Sequence, residues 1–488
     1  MGHPSAPPSL DGRFERALEA ILARVSFCAD SGKGGAAPVA TIAPAAPLAP
    51  AAIAVAYSGG LDSTVLLHLA RQYAAARSMR LLAFHIHHGL SPNADAWFAH
   101  CEDEARQIGV IFEARRVRLQ DAGRSGVEEA ARKLRYAALG ELCRHHGVAL
   151  LLTAHHQDDQ AETVLLQLLR GSGVAGLSGM EAVNAAPDLL GDFSPMMGRP
   201  LLDISRAELE AWAARAGISH VEDESNADPR YARNALRHGV MPQLAGSFPG
   251  FQERLARSAG HMQAAQRLLE ELAQADLAVC ADGACLRLEC LRSLSDERID
   301  NLLRHWLGTR GVRMPSTSWL AEMRAQLQGA KADAQVCVSH PDCAIRRHRD
   351  RVYLTPKWDQ DAVSVAPQAF RWQGEGSLAF PAFHGYLHFE LAEEGGPGLE
   401  AEWLRTQALT IRYRQGGDMV KLAANRPSRS MKQHFQALGV PAWERPFLPL
   451  VTAAQEVLYA AGIGMDSHRL ASGQGEYIRL RWEHALKA

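Results

Sequence analysis

The sequence predicts an α/β fold with a Rossmann-like parallel sheet, followed by a helical α+β domain and a small α+β C-terminal domain. Between residues 53 and about 245, short apolar runs alternate with longer helical patterns, which is typical of parallel strands joined by crossover helices. From residue 251 to 355, long helical patterns stand beside short pairs of strands. The segment from about residue 408 mixes strands with one short helix.

The first region contains nine predicted elements, and strands alternate with helices until the last one. In chain order they are strand 52–57, helix 63–76, strand 80–89, helix 95–109, strand 111–119, helix 127–147, strand 148–156, helix 159–173 and a helix that begins at Ser205. Ser205 and Glu208 have the spacing of a capping box, in which two side chains bind the free backbone N–H groups at a helix start. This order predicts right-handed crossovers in a parallel sheet.

Composition divides the chain into four predicted parts. Residues 34–52 are an Ala/Pro stretch that we expect to pack little, as in a flexible or extended linker. The predicted parts are an Ala/Pro-rich extension and linker at 1–51, the parallel-sheet domain at 52–245, a central domain at 250–360 and a C-terminal domain at 408–482.

The overall composition is that of a globular protein of 488 residues, with 47% apolar and 22% charged residues and a net charge of −2. The sequence contains neither an apolar run of the roughly 20 residues that span a membrane nor a signal-peptide pattern. We therefore expect a cytoplasmic protein that does not contact a membrane. The eight cysteines include no C-x-x-C pair and indicate neither a disulfide scaffold nor a zinc site. Residues 401–450 nevertheless carry eight Lys and Arg against three acids.

The turn "SGGLDS" at residues 58–63, called the serine turn below, stands between the first strand and the first helix. Backbone N–H groups and the helix dipole make such a Gly-rich turn an anion site. A Walker A loop would carry a lysine for the β- and γ-phosphates, but Asp62 stands here instead. An aspartate beside a polyphosphate is explained if it binds Mg²⁺. The alternative is a tight turn capped by Asp62 or Ser63.

A second group of acids follows the strand 148–156. Asp158, Asp159 and Glu162, called the acidic cluster below, lie in the first turns of a predicted helix. In an open α/β sheet, ligands bind beyond the carboxyl ends of the strands, where this cluster and the serine turn both lie. The cluster is therefore expected to serve Mg²⁺–ATP or substrate. The alternative is that these acids only complement the helix dipole.

Two groups of arginines have open interpretations. Arg230, Arg233 and Arg237 lie on one helix face, which is either a solvated face or a stripe that binds phosphates. Arg132 lies one turn beyond Glu128 and Glu129, which allows a simple ion pair within the helix.

Six stretches together resemble the tRNA(Ile)-lysidine synthetase family of the PP-loop ATP pyrophosphatase superfamily. They are "SGGLDS", "HIHHGLS", "GVEEAARKLRY", "TAHHQDDQAETVLLQLLRGSGVAGLSGM", "EDESNADPRYARNALRHGVMP" and "RYRQGGDMVKLAANRPSRSMKQHFQALGVPAWERPFLPLV". The first stretch alone is typical of the whole superfamily, whereas the fourth and the last are more specific. Met419 stands where a basic residue is common in the family, which weakens one expected tRNA contact.

The resemblance implies a ligase that uses ATP and Mg²⁺. ATP would adenylate the ring carbonyl of the wobble cytidine in an isoleucine tRNA with a CAU anticodon, with release of pyrophosphate. The ε-amine of free L-lysine would then displace AMP to form lysidine. The parallel-sheet domain would bind ATP and catalyse the reaction, and the other two domains would bind substrate and tRNA. The oligomeric state is left open between a monomer and a homodimer.

Residue roles are carried over from the resemblance by position. ATP would be bound by Ser58, Gly59, Gly60, Leu61, Asp62 and Ser63. Catalytic roles would fall to Asp62, Asp158, Asp159, Arg132 and His155, with Asp62 and Asp158 as Mg²⁺ ligands. Lysine, cytidine or tRNA would be bound by Glu162, Arg170, Asp223, Asn226, Arg233, Asn234, Arg237, Arg429 and Lys432.

Three other functions fit the sequence less well. A tRNA thiolase usually needs paired cysteines, and an amide-forming synthetase usually carries a glutamine-hydrolysing domain; neither pattern is present. A nucleotide-binding sensor without chemistry would need neither the acidic cluster nor the basic C-terminal segment.

Overall fold

The computed structural model describes the chain in segments, and all statements below concern these. They are residues 9–31, 52–87, 89, 91–117, 127–191, 195–222, 232–331, 334, 336–357, 365–393, 395–473 and 475–484. The chain forms two compact units, Met1–Glu271 and Leu272–Ala488. None of the helices in these segments combines the length and the apolar character that crossing a bilayer requires.

The first unit is built around a six-stranded sheet. Its elements are α1 Leu10–Ser31, β1 Ala52–Ala56, α2 Leu61–Ala76, β2 Arg80–His87, α3 Ala94–Gln107, β3 Ile111–Arg116, α4 Val127–His146, β4 Leu150–Leu152, α5 Gln157–Leu169, α6 Val174–Leu177, β5 Val183–Ala185, α7 Pro187–Leu190, β6 Met196–Gly198, α8 Arg206–Ala216, α9 Ala232–Ala235 and α10 Met241–Ser247. Helix α11, Phe251–Cys280, begins in this unit and ends in the second. A π-helical turn, Leu236–Val240, joins α9 to α10.

The sheet has the strand order β3-β2-β1-β4-β6-β5. All neighbouring strands are parallel except β5, which pairs antiparallel with β6. The chain moves outward from β1 to β3 and then returns to the other side of β1 with β4. The carboxyl ends of β1 and β4 therefore meet at the topological switch point, where open α/β sheets bind ligands.

Both faces of the sheet are covered, as parallel sheets require. Along β1, Ile53 and Val55 belong to a core shared with α1, α2 and α8, whereas Ala52 and Ala54 belong to a second core shared with α4. This alternation follows from the two-residue period of a strand.

Helix α1 lies within a region that was predicted to be an extension. Phe14, Leu18 and Ile21 are buried in the first core, and Arg13 pairs with Glu208 at 2.6 Å. The prediction that residues 1–51 only form an extension and linker is therefore wrong for α1, whereas the residues from 32 to 51 lie outside the described segments.

The second unit contains three larger sheets and a short ribbon. Its elements are β7 Ala281–Asp282, β8 Cys285–Arg287, α12 Leu288–Arg292, α13 Asp296–Gly308, α14 Thr317–Gly329, β9 Cys337–Ser339, β10 Ala344–His348, β11 Arg351–Thr355, β12 Gln368–Phe370, β13 Ser377–Phe380, β14 Gly385–Leu391, β15 Leu399–Glu400, α15 Ala401–Thr406, β16 Leu409–Tyr413, β17 Met419–Val420, β18 Arg429–Ser430, α16 Met431–Leu438, β19 Pro449–Ala453, β20 Glu456–Ala460, β21 Gly464–Met465 and β22 Tyr477–His484.

The first sheet of this unit, β7-β8-β11-β10-β9, packs with α13 and α14 around the buried Trp306. The sheets β12-β16-β19-β20-β21 and β13-β14-β22-β15 share a second core. Strands β17 and β18 form a two-stranded ribbon next to α16.

Near two of the predicted domain boundaries, contacts continue beyond the boundary, and the boundaries stay predictions. The first unit continues to Glu271, and Phe251 of α11 packs against Ala161 of α5 and Met241 of α10. Trp372 lies in the C-terminal core, and β14 pairs with β22 over seven residues.

Candidate active site

The serine turn between β1 and α2 is closed by its own hydroxyl groups. Ser63 Oγ accepts a hydrogen bond from Ser58 N at 3.3 Å, lies 2.9 Å from Ser58 Oγ and donates to Gly60 O at 3.0 Å. Gly59 has a φ of +86°, and a Cβ there would lie 2.6 Å from Cys101 Sγ. Both the backbone conformation and the space therefore require glycine. The turn presents the N-terminus of α2 to the open edge of the sheet, which favours an anion.

Asp62 does not take part in these internal bonds. Its Oδ1 is buried without a hydrogen-bond partner in the part of the chain that the structure describes. Its Oδ2 lies 3.3 Å from Arg206 Nη1 and 3.6 Å from His156 Nε2. Ser63 therefore closes the turn, whereas Asp62 takes no part in closing it, and neither side chain caps the start of α2.

A buried histidine joins the serine turn to the acidic cluster. The ring nitrogens of His156, which is 1% exposed, lie 3.6 Å from Asp62 Oδ2, 3.6 Å from Asp158 Oδ2 and 3.4 Å from Asp159 Oδ2. Burial alone would lower the pKa of His156, but the carboxylates of Asp158 and Asp62 outweigh it and raise the pKa to about 10. At neutral pH an imidazolium therefore stands among three carboxylates at the switch point.

Two arginines bind the far side of the acidic cluster. Arg233 donates from Nε to Glu162 Oε2 at 2.6 Å and from Nη2 to Asp159 Oδ1 at 3.0 Å. Arg237 donates from Nε to Glu162 Oε1 at 2.6 Å and from Nη2 to Asp159 Oδ1 at 3.1 Å. Burial raises the pKa of Asp159, but His156 and Arg233 outweigh this effect and hold it below its ordinary value. Glu162 is 1% exposed, so its charge is balanced almost entirely by these guanidinium groups.

This arrangement differs from both sequence interpretations of the arginine stripe. Arg233 and Arg237 neither form a simple solvated face nor present unpaired charges to phosphates, because they bind carboxylates of α5. Arg230 lies outside the described segments.

A cavity of about 680 Å³ opens between the serine turn and α4. The predicted site residues that line it are Ser58, Gly60, Leu61, Asp62, Ser63, His155, Asp159 and Arg237. Aromatic rings of Phe84, Trp97 and Tyr136 also line it, so the cavity combines flat apolar walls with a few convergent polar groups. This is the usual character of a small-molecule site.

His155 borders this cavity as a neutral imidazole. Its Nδ1 lies 2.9 Å from Thr153 Oγ1. Burial lowers the pKa of His155 well below its usual range, and Arg199 and Arg233 act in the same direction against the opposing charge of Asp159. His155 and His156, neighbours in sequence, thus differ in charge at neutral pH: the first is neutral and the second is positively charged.

Three family models match the chain one after another. They describe a PP-loop domain at residues 40–244, a TilS substrate binding domain at 286–353 and a TilS substrate C-terminal domain at 409–482. The tRNA(Ile)-lysidine synthase of Ralstonia nicotianae is 43% identical over 436 residues, which cover 87% of this chain and 92% of the relative. That of Burkholderia pseudomallei is 41% identical over 460 residues, which cover 88% and 93%. The chain belongs to the tRNA(Ile)-lysidine synthase family.

Members of the tRNA(Ile)-lysidine synthase family are ligases, so the chain is a ligase-type enzyme of tRNA modification with an ATP-binding PP-loop domain. The predicted family and fold class are confirmed. Among solved structures, the U34-tRNA thiolase NcsA of Methanococcus maripaludis covers 51% of this chain and 78% of its own, at 16% identity and a TM-score of 0.37.

Among the remaining residues implied by the synthase family, those of the first unit that the structure describes do not line the cavity. Arg132 is exposed on α4, with its guanidinium 5.5 Å from the ring of Tyr136. Arg170 is exposed and lies just beyond the C-terminal end of α5, at the opposite end of that helix from the acidic cluster. Asn234 is half-buried in α9, and Asp223 and Asn226 lie outside the described segments. The side chains of Glu128 and Glu129, the predicted partners of Arg132, also lie outside the description.

In the second unit, Arg429 and Lys432 are exposed at the junction of the β17–β18 ribbon and α16. Met419 stands opposite Ser430 in that ribbon and is 47% exposed. Arg412 contributes less to the basic excess than its charge suggests, because it binds Asp418 at 2.7 Å.

Sequence reasoning missed several residues that line the cavity, among them Arg206, His220, Val221 and Glu222. Val221 N donates to Gly59 O at 2.9 Å, so this segment crosses the serine turn. Arg206 follows the capping-box residue Ser205 and thus starts a helix, a position from which a basic side chain can reach an anion site. The capping box that begins this helix was visible in the sequence, but the contact between Arg206 and Asp62 was not.

Proposed function

We propose that this enzyme ligates free L-lysine to the wobble cytidine of an isoleucine tRNA with a CAU anticodon, through an adenylated cytidine, and releases AMP and pyrophosphate. The observation that carries the proposal is the serine turn, which lies at the switch point and contains no lysine. There the ring of His156 contacts Asp62 of the turn and also Asp158 and Asp159 of α5. The names of the relatives support the tRNA and the product.

In the first step, the ring carbonyl oxygen of cytidine attacks the α-phosphorus of ATP. A new P–O bond forms, and the bond from the α-phosphorus to the bridging oxygen breaks with its electron pair on pyrophosphate. The backbone amides at the start of α2 and the hydroxyl groups of Ser58 and Ser63 bind the β- and γ-phosphates. A turn without a lysine suits this cleavage, because no γ-phosphoryl group is transferred.

Asp62 and Asp158 are the proposed ligands of Mg²⁺. Asp62 fits this role because it has an unpartnered, buried carboxylate oxygen, and Mg²⁺ is typically held by one or two carboxylates together with substrate phosphates. Within the described segments, no group of three or more His, Cys, Asp and Glu side chains is arranged to hold a metal ion, so phosphates would have to complete the coordination. When bound, the ion neutralises charge on the phosphates.

In the second step, the ε-amine of lysine attacks the adenylated ring carbon, a C–N bond forms, and the C–O bond to AMP breaks with its electron pair on AMP. The amine has an ordinary pKa of about 10.4 and must lose a proton before attack. The carboxylates that line the cavity are Asp62, Asp159 and Glu222, and one of them accepts the proton.

Other residues are proposed to hold the substrate in place. The neutral imidazole of His155 forms part of the cavity wall and positions the substrate there. Arg132, Arg170, Asp223, Asn226 and Asn234 are proposed to contact substrate once tRNA is bound.

Binding of tRNA is assigned to the second unit, through phosphates contacted by Arg429 and Lys432. Both side chains are exposed and have no acidic neighbour in the β17–β18 ribbon or α16. A tRNA extends far beyond one nucleotide, so its phosphates reach surfaces distant from the anticodon.

The proposal is tested by incubating the enzyme with radiolabelled lysine, ATP and one of two CAU-anticodon tRNA transcripts. We expect label in the isoleucine transcript and not in the methionine transcript. An isoleucine transcript with uridine at the wobble position is the matched control, because it lacks the cytidine amino group. Equal labelling of the isoleucine and methionine transcripts, or labelling of the control, would contradict the proposed substrate.

A further inference from the structure

Arg206 lines the cavity beside the serine turn, and the reaction described above gives it no task. It is the first residue of α8. Its Nη1 lies 3.3 Å from Asp62 Oδ2, and its Nε donates to Glu210 Oε1 at 3.0 Å. The side chain is 42% exposed, so the guanidinium has room to change partners on the solvent side.

Structural roles do not explain this guanidinium. Ser205 and Glu208 already form the capping box that begins α8. The bond from Arg206 to Asp158 Oδ2, at 2.9 Å, uses the backbone N–H, which any residue except proline supplies. The pair with Glu210 is an exposed contact within one helix and contributes little to stability. The contact with Asp62 is what requires an arginine here.

The charges around the turn indicate what the guanidinium binds. Arg237 and Arg135 also line the cavity. Arg237 is bound to Asp159 and Glu162, so its charge is balanced, and Arg135 lies on α4 with its guanidinium 5.5 Å from the ring of Tyr136. Arg206 faces Asp62, whose carboxylate is the proposed Mg²⁺ ligand. If the Asp62 carboxylate is engaged by Mg²⁺ when ATP binds, the Arg206 guanidinium would lie beside the phosphates. Glu210 would still accept the hydrogen bond from Arg206 Nε.

We propose that Arg206 is a catalytic residue that binds the β- and γ-phosphate oxygens of ATP and stays on them as they leave as pyrophosphate. This inference rests on the proposed function. As the bond from the α-phosphorus to the bridging oxygen breaks, its electron pair remains on pyrophosphate, and the guanidinium donates two parallel hydrogen bonds to that growing charge. An arginine is suited to this task because its planar fork matches phosphate oxygens and its charge does not change at neutral pH.

The test is direct binding of pyrophosphate to the full chain in Mg²⁺ buffer, measured by titration calorimetry. The variant Arg206→Gln keeps the backbone N–H and removes the positive charge. The variant Arg206→Lys keeps a positive charge but loses the planar guanidinium that donates two parallel hydrogen bonds. Arg215→Gln, an exposed arginine in the last turn of the same helix, is the matched control. We expect the dissociation constant of pyrophosphate to rise about 10- to 100-fold in Arg206→Gln, because charge-assisted hydrogen bonds are lost. The rise should be smaller in Arg206→Lys and absent in Arg215→Gln.

Pyrophosphate affinity in Arg206→Gln equal to that of Arg215→Gln would overturn the inference. A merely structural role would instead lower the thermal midpoint and weaken tRNA and pyrophosphate binding together, which also counts against it. If Arg206→Gln does not fold, Arg206→Lys decides the question. The binding measurement needs no turnover, so a wild-type enzyme that forms no AMP would refute the proposed function without deciding the role of Arg206.

Discussion

Arg237 donates from Nε to Glu162 Oε1 over 2.6 Å, and Glu162 is 1% exposed. Replacing Glu162 with Gln would remove one of the two carboxylates that balance Arg233 and Arg237, and Asp159 would remain. Both arginines are about one-third exposed, so we expect the free energy of unfolding to fall by roughly 1–3 kcal/mol, below the cost of breaking a fully buried pair.

Urea unfolding of the full chain measures this loss. Glu253→Gln is the control, because Glu253 forms an exposed pair with Arg257 and should cost less than about 1 kcal/mol. If the free energy of unfolding falls equally in the two variants, water solvates Arg233 and Arg237 well enough to compensate for the lost carboxylate.

Asp158→Ala and Asp159→Ala are each expected to reduce turnover about 100- to 1000-fold, because each removes a charge at the switch point. Binding of tRNA should be kept, since it is assigned to the second unit. Asp188→Asn is the matched control, as an exposed acid in the first turn of α7. Steady-state lysine incorporation measures the effect. Unchanged turnover in a folded Asp159→Ala variant would favour the interpretation that the acids only complement the helix dipole.

Local patterns in the sequence were sufficient for the strand, turn and helix around Asp62 and for the acidic cluster on α5. They could not predict that Arg206 contacts Asp62, because the two residues are 144 positions apart and neither periodicity nor spacing encodes such a contact. The partners of Arg233 and Arg237 were missed for the same reason. Likewise, no local pattern in the sequence showed that β14 and β22 pair across most of the C-terminal region.

Helix α1 is a different case, because its signal was present. Phe14, Leu18, Ile21 and Val25 recur at helical spacing and are all buried. The low-complexity stretch that follows led to the whole segment being interpreted as a linker.

The ion pair between Arg412 and Asp418 should make the C-terminal domain sensitive to acid. Burial raises the pKa of Asp418, but Arg412 and the amide of Gln415 outweigh it and hold the pKa below its ordinary value of 3.8. A depressed carboxyl pKa stabilises the fold above pH 3.8 and loses this effect as the pH falls further. The protection of β16 amides against hydrogen exchange, relative to the intrinsic exchange rate at each pH, should therefore fall below about pH 4 in the wild type.

Asp418→Asn tests this prediction. At pH 5 the variant should show lower protection of β16 amides than the wild type, and its protection should depend less on pH below that point. Glu456→Gln, which breaks an exposed pair with Arg469, is the control and should leave β16 unchanged. The same pH dependence in Asp418→Asn and wild type would contradict the assignment.

The double variant Arg429→Ala with Lys432→Ala should weaken tRNA binding and flatten its salt dependence. Each lost phosphate contact should remove about 0.7–0.9 from the slope of log affinity against log salt. The affinity for ATP should stay unchanged, because the nucleotide site is assigned to the first unit.

The control for this experiment is Arg469→Ala with Arg481→Ala, which removes two half-exposed arginines that are paired with Glu456 and Glu390. Filter binding at several salt concentrations separates the two double variants. An unaltered slope in the first would mean that Arg429 and Lys432 belong to a solvated face.

The most direct test of the central claim is to identify the nucleotide products while lysine is incorporated into the isoleucine CAU transcript. With ATP labelled at the α- and γ-phosphates, we expect one AMP and one pyrophosphate for each lysine incorporated. Asp62→Asn should abolish both products together, because the unpartnered carboxylate oxygen of Asp62 is the proposed ligand beside the phosphates. Formation of ADP and inorganic phosphate instead would contradict the assignment of the lysine-free serine turn to cleavage at the α-phosphorus.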